Sequence, residues 1–167
     1  MNEINKSYDE IVSLFRSDIC YNFPDLYNEA CRKKKRVSKK KRSCGRYYYP
    51  AIRMHSINDF NYVINFFTRG HSEPEKDDFS DLVYAWFLKN GKKYAIVFQH
   101  MSDSYIDFHF SIFIPHFFQR YRERYLKTDS MSDRDIMNHY FLHHWRQGMI
   151  SVPSKKYPDG VYNVTPE

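Results

Sequence analysis

The sequence predicts an α+β fold: an antiparallel meander sheet packed against several helices, with a basic, flexible segment near residue 40. Three observations carry that expectation. Asn90-Gly91 lies between two apolar runs, 82–88 and 93–101, the strongest short hairpin signal because both residues tolerate positive φ. From Tyr105 to Ile114, Ile106, Phe108, Phe110, Ile112 and Ile114 fall on one face, while Tyr105, Asp107, His109, Ser111 and Phe113 fall on the other, the period of a strand. Ser7 with Glu10, and Ser132 ahead of Ile136, Met137, Tyr140 and Phe141, have the form of helix starts. The chain of 167 residues is read as one domain, 1–167, large enough to bury a core.

Taken in order, the first helix carries Ile11, Leu14 and Phe15 and should end near Ile19. Asn22-Phe23-Pro24-Asp25 restarts a helix with Leu26, Tyr27 and Ala30, completing an N-terminal helical part over 1–31. A basic, linker-like segment fills 32–46, and an α+β core takes 47–167. Residues 46–54 have strand composition, with Pro50 restricting them to an edge or a bulge. Ser56 and Asp59 predict another helix, with Ile57, Phe60, Ile64 and Phe67 on one side and Gly70 as its stop. Residues 71–79 are polar and acidic and read as a loop. The hairpin and the 105–114 strand follow as a three-stranded meander, and Pro115 takes the first position of the next helix. After the Ser132 helix, which stops near Gly148, short strands are expected at 149–152 and 161–164, with a turn at Pro158-Asp159-Gly160.

Charge is concentrated. Residues 32–46 hold ten of the 26 Lys and Arg and no acid, leaving 16 basic against 20 acidic residues elsewhere, a net of −4. This is a mildly acidic chain with one intensely basic stretch. That stretch reads either as a solvated linker or as a contact for the phosphate backbone of nucleic acid, RNA ahead of DNA. The residues that would bind are Lys33, Lys34, Lys35, Arg36, Lys39, Lys40, Lys41 and Arg42, with Tyr47 and Tyr48 placed to stack on bases. No amphipathic apolar face accompanies the charges, and no run approaches a membrane span, so no membrane partner is expected. The N-terminus has no apolar signal region, and three cysteines form no metal-type spacing. Together these point to a reduced, cytoplasmic setting.

The segment with the most chemical content begins at His116. At helical spacing, His116, Arg120, Glu123 and Lys127 share one stripe, opposite Phe118, Tyr121 and Tyr125. Such a stripe can be a surface ion-pair network. The same atoms can also meet a phosphate, with His116 as acid or base, Arg120 or Arg124 stabilising charge, and Glu123 orienting an Arg or carrying a proton. His116 and Glu123 lie two turns apart, about 10 Å, so Arg120 is better placed to hold the phosphate. A second proton carrier must then come from elsewhere, His109 or a Tyr of the sheet. His139 and His143 stand one turn apart, but Tyr140 occupies the place where a metalloprotease helix has Glu. Neither a metal nor a cofactor is expected.

The pattern H-x3-R-x2-E-R over 116–124 resembles the opening helix motif of small bacterial proteins related to ribonuclease toxins of the barnase, colicin and RelE type. In that family a second helix beginning at Ser or Thr follows, then strands. Ser132 and the 161–164 strand fit those places, so the resemblance spans roughly 116–164. It implies a metal-independent endoribonuclease with His116, Arg120, Glu123 and Arg124 in the site. The expected function is therefore a nucleic-acid-acting protein of ribonuclease-toxin type. A non-catalytic RNA- or DNA-binding module and a structural or protein-interaction domain are the alternatives.

Overall fold

The computed structural model describes residues 2–34, 40–41, 47–68, 79–100, 108–144, 149–151 and 161–163. It is α+β, and the chain divides into two compact units, 1–115 and 116–167.

In the first unit, α1 (Tyr8–Tyr21) starts at a capping box: Ser7 Oγ accepts from Glu10 N–H, and the Glu10 carboxylate accepts from Ser7 N–H. Its buried residues, Ile11, Phe15, Asp18 and Ile19, follow the helical period. A second helix, α2 (Phe23–Lys34), follows after Asn22 and ends in Arg32, Lys33 and Lys34, whose charges suit the negative end of a helix dipole.

The strands are β1 (Lys40–Lys41), β2 (Tyr47–Tyr48), β3 (Ile52–His55), β4 (Asn61–Thr68), β5 (Phe79–Lys89), β6 (Lys92–His100) and β7 (Phe108–Phe113). They form one seven-stranded antiparallel sheet in the order β1-β2-β4-β5-β6-β7, with β3 also paired to β4. Ile52, Met54, Tyr62, Ile64, Phe66, Ala85, Phe87 and Ile96 turn one face into the core, where they meet Ile11, Phe15, Ile19 and Ala30 of the helices. Phe15 is the hub, with ring centroids 4.8 Å from Phe60 and 5.9 Å from both Tyr62 and Phe110. The hairpin turn is as expected, with Asn90 at φ 51 and Gly91 at φ 69. The N-terminal segment laces onto this hairpin: Ile4 N–H donates to Leu88 O at 2.8 Å, and Gly91 N–H to Glu3 Oε1 at 3.0 Å.

One expectation is corrected here. Residues 56–68 do not make the expected helix, and Gly70, its expected stop, lies outside the described residues. Ser56 Oγ accepts from the N–H groups of Asn58 and Phe60, closing a turn, and Asp59 takes φ 63 before the chain enters β4. The run Tyr62-Val63-Ile64-Asn65-Phe66-Phe67 is buried on both faces, so the period-2 signal is hidden and the β-branched and aromatic residues decide for strand. In β7, Ser111 and Phe113 share a face and are both buried.

In the second unit, α3 (Pro115–Tyr121) passes without a break into a π-helical turn, Arg122–Leu126, closed by Lys127 N–H donating to Arg122 O at 2.8 Å. Lys127 itself is left-handed, at φ 48. The last helix, α4 (Asp133–His144), begins as expected at Ser132, which exchanges hydrogen bonds with Asp135. Phe117, Phe118 and Tyr121 of α3 pack edge-on against Tyr140 and Phe141 of α4. A short antiparallel pair, β8 (Met149–Ser151) with β9 (Val161–Asn163), lies at the two expected positions. The predicted turn at 158–160 and residues 71–78 of the predicted 71–79 loop lie outside the described residues, while Phe79 opens β5.

Candidate nucleic-acid interface

The basic segment grows out of the C-terminal turn of α2. Lys33 Nζ is held by Glu29 at 2.9 Å and lies 3.4 Å from Met54 Sδ, and its contact keeps the Glu29 carboxyl below the ordinary carboxylate range. Lys34 is turned the other way. It is 4 % exposed, and its ammonium sits 5.6 Å from the Tyr49 ring and 5.2 Å from the Phe66 ring. Lys34 thus fastens the end of α2 to the sheet. Lys35, Arg36, Lys39 and Arg42 lie outside the described residues.

Lys40 and Lys41 lie in β1, paired with β2: Lys40 is opposite Tyr48 and Lys41 opposite Tyr47. In turn Tyr48 is opposite Phe67 of β4, and Tyr49 N–H donates to Phe66 O at 3.0 Å. Lys40–Lys41 and Tyr47–Tyr48 are therefore two short antiparallel strands at one edge of the sheet, with a Lys opposite a Tyr at each described register position. The sequence placed these residues together but gave no sign that they pair across a hairpin. It also gave no sign of Tyr49 as the ring beneath Lys34.

The His116 helix brings together three of its four expected residues. Arg120 Nε–H donates to His116 Nε2 at 3.3 Å, and Arg120 Nη1 pairs with Glu123 Oε2 at 3.2 Å. Gln119 Nε2 donates to the other Glu123 oxygen at 3.0 Å. Arg124 is exposed in the π-helical turn. An i to i+5 bond closes the helix there, so the α period that set Lys127 on the stripe ends at Arg122. His116, Arg120 and Glu123 are all exposed. The His116 Nε2 lone pair, which a general base must offer to substrate, is turned toward Arg120.

A neighbouring residue was missed. Arg122 Nη2 donates to Asp133 Oδ1 at 2.9 Å and to Met131 O at 3.3 Å, tying the π-helical turn to the start of α4. Its spacing of 11 residues from Asp133 is too long for a sequence pattern to announce.

The histidines of α4 are stacked, with the His139 and His143 rings 4.0 Å apart at 16°. His143 Nδ1 faces its own helix at His139 O, 2.8 Å away, and His139 Nδ1 lies 2.9 Å from Tyr121 Oη. Burial, with Tyr125 nearby, pushes the Tyr121 phenol up to about 12. Tyr121 therefore stays protonated beside His139 at neutral pH. Among the described residues no group of three or more His, Cys, Asp or Glu is arranged to hold a metal ion. No described helix is long and apolar enough to cross a membrane.

The chain matches no protein-family model, no curated protein and no solved structure.

Proposed function

We propose that this chain is a nucleic-acid-binding protein, RNA ahead of DNA, which grips the phosphate backbone through its basic segment without cutting it. The observation that supports this reading most directly is the β1–β2 ribbon. It sets Lys40 and Lys41 beside Tyr48 and Tyr47 at a sheet edge, in a segment with ten cations and no acid. Lysines for phosphates with aromatic rings for bases is the composition of a single-strand binding surface. The test is fluorescence anisotropy with a generic single-stranded RNA over a salt series. Binding should weaken steeply with salt, and replacing Lys39, Lys40, Lys41 and Arg42 by Ala should flatten the slope by about 3 in log–log terms, at about 0.7 per phosphate contact. Salt-independent binding, or none at low salt, would remove the proposal.

Metal-independent ribonuclease action is the second reading, favoured by the contact of His116 and Glu123 with one arginine. It takes second place because the three groups bond to one another on an exposed helix face. Cleavage would require Arg120 to release His116 Nε2.

A further inference from the structure

The turn that closes the β5–β6 hairpin carries a dipeptide that is chemically unstable by its composition. Of the chain's asparagines only Asn90 is followed by glycine. An asparagine side chain can cyclise onto the backbone nitrogen of the next residue, and glycine, with no β-carbon, gives that nitrogen the least steric cover. Asn90 and Gly91 are both exposed, and a β-carbon built on Gly91 would meet nothing within 4 Å, so the turn is open to water. Lys89 pairs with Lys92 across the turn, which leaves Gly91 N–H outside the strand ladder. There it donates to Glu3 Oε1 at 3.0 Å. The residues on either side hold Glu3 in place. Asn2 Nδ2 donates to Asp59 Oδ2 at 3.4 Å, and Ile4, itself buried, donates its N–H to Leu88 O at 2.8 Å.

We propose that Asn90 is a self-modification site, deamidating through a succinimide, and that the Glu3 carboxylate slows this reaction in the folded protein. In the first step Gly91 N bonds to Asn90 Cγ and the Cγ–Nδ2 bond breaks. The proton of Gly91 N–H leaves with Nδ2 as ammonia. Water then opens the ring, giving aspartate if it enters at the side-chain carbonyl and isoaspartate if it enters at the main-chain carbonyl. No electron is exchanged, and water is the only co-reactant. Attack requires Gly91 N to lose its proton. A carboxylate is far too weak a base to take an amide proton at neutral pH. Instead it stabilises the N–H form by accepting its hydrogen bond, and its charge opposes the nitrogen anion. Isoaspartate routes the main chain through the former side chain and adds one carbon atom to a turn of two residues. That shifts Gly91 N–H away from Glu3 and loosens the neighbouring bond from Ile4 to Leu88, so the product releases residues 2–6 from the hairpin.

The test follows the full chain through a long incubation at neutral pH, with each asparagine read by peptide mass spectrometry. Wild type should convert at Asn90 ahead of every other asparagine, and more slowly when folded than when unfolded in guanidinium chloride. Glu3→Gln keeps an acceptor of the same shape and removes the charge. It should speed conversion of the folded protein about fivefold, and Glu3→Ala at least as much. In guanidinium chloride all three chains should convert at one rate. Amide hydrogen exchange gives a second reading, because it too begins with loss of the Gly91 proton. Exchange at Gly91 should rise in Glu3→Gln by a similar factor, and protein aged to isoaspartate should exchange Ile4 N–H faster than fresh protein. Equal or slower conversion in the folded Glu3 variants would overturn the role of Glu3. Faster exchange at Gly91 without faster conversion would also overturn it, and would assign the protection to the hairpin alone. Unchanged exchange at Ile4 in aged protein would overturn the release, and an Asn90 that stays intact in the unfolded chain would remove the site altogether.

Discussion

Asp18 is a fully buried carboxylate whose described neighbours all donate to it. Tyr62 Oη gives a bond of 2.7 Å to one oxygen, and the amides of Asn22 and Asn58 give 2.8 Å each to the other. Burial, reinforced by Asp18, drives the Tyr62 phenol far above the ordinary tyrosine range, so it remains a donor. The knot ties α1 to the Ser56 turn and to β4, which sequence spacing could not reveal. Asp18→Ala leaves a buried hydroxyl without its acceptor and should cost about 3 kcal/mol in urea unfolding. Tyr62→Phe, which leaves the carboxylate its two amides, should cost about half that. A loss under about 1 kcal/mol for Asp18→Ala would show that the knot is not what holds this corner. Ser7 is the exposed counterpart: Ser7→Ala removes an N-cap and should cost about 1 kcal/mol. Backbone and side-chain bonds from Ser7 hold the Glu10 carboxyl below its ordinary value of 4.5. A depressed carboxylate contributes stability above that value and loses it as pH falls through the folded-state value. Wild type should therefore lose only the part of its advantage over Ser7→Ala that comes from the Ser7 hydroxyl donating to Glu10, and only below about pH 4.5, while the N-cap bond from Glu10 N–H persists in acid.

Elements were legible in proportion to how one-sided they are. The capping box of Ser7 and Glu10, the Asn90-Gly91 turn and the Ser132 cap each have a local cause, and each appears where the sequence puts it. The strand β4 was not legible. Its apolar residues face both ways, and a Ser three before an Asp imitates a helix start when the hydroxyl is closing a turn. The candidate site divides along the same line. The contacts of Arg120 with His116 and Glu123 obey helical spacing and could be read. The Lys–Tyr register of the ribbon, the burial of Lys34 and the Arg122–Asp133 pair depend on which elements meet, and could not. The π-helical turn was also silent in the sequence, yet it has a testable consequence. It ends on Lys127 at φ 48, a conformation that costs an L-residue with a β-carbon about 1 kcal/mol. Lys127→Gly should stabilise the protein by about 0.5 kcal/mol, net of the greater freedom glycine gains on unfolding. Destabilisation in thermal unfolding would mean that the lysine side chain anchors the turn.

At the scale of the molecule, the proposed binding and the alternative cleavage fall on different units, because the basic ribbon belongs to the first and the His116 helix to the second. A binder and a nuclease make opposite demands on His116. If the first unit carries the function, His116→Ala and Arg120→Ala remove only an exposed network, and each should unfold within about 0.5 kcal/mol of wild type. Both should bind RNA with unchanged affinity and salt slope, and wild type should leave the RNA intact through a long incubation. If the second unit carries out cleavage, wild type should release fragments, and each substitution should slow that release by at least about 100-fold with folding preserved. The pH profile distinguishes the two further. Cleavage that uses a histidine as proton carrier changes across the range where imidazole titrates, whereas backbone binding through lysines is nearly flat there. Fragment release by wild type, lost in His116→Ala but retained when Lys39 to Arg42 are neutralised, would move the function from the ribbon to the helix.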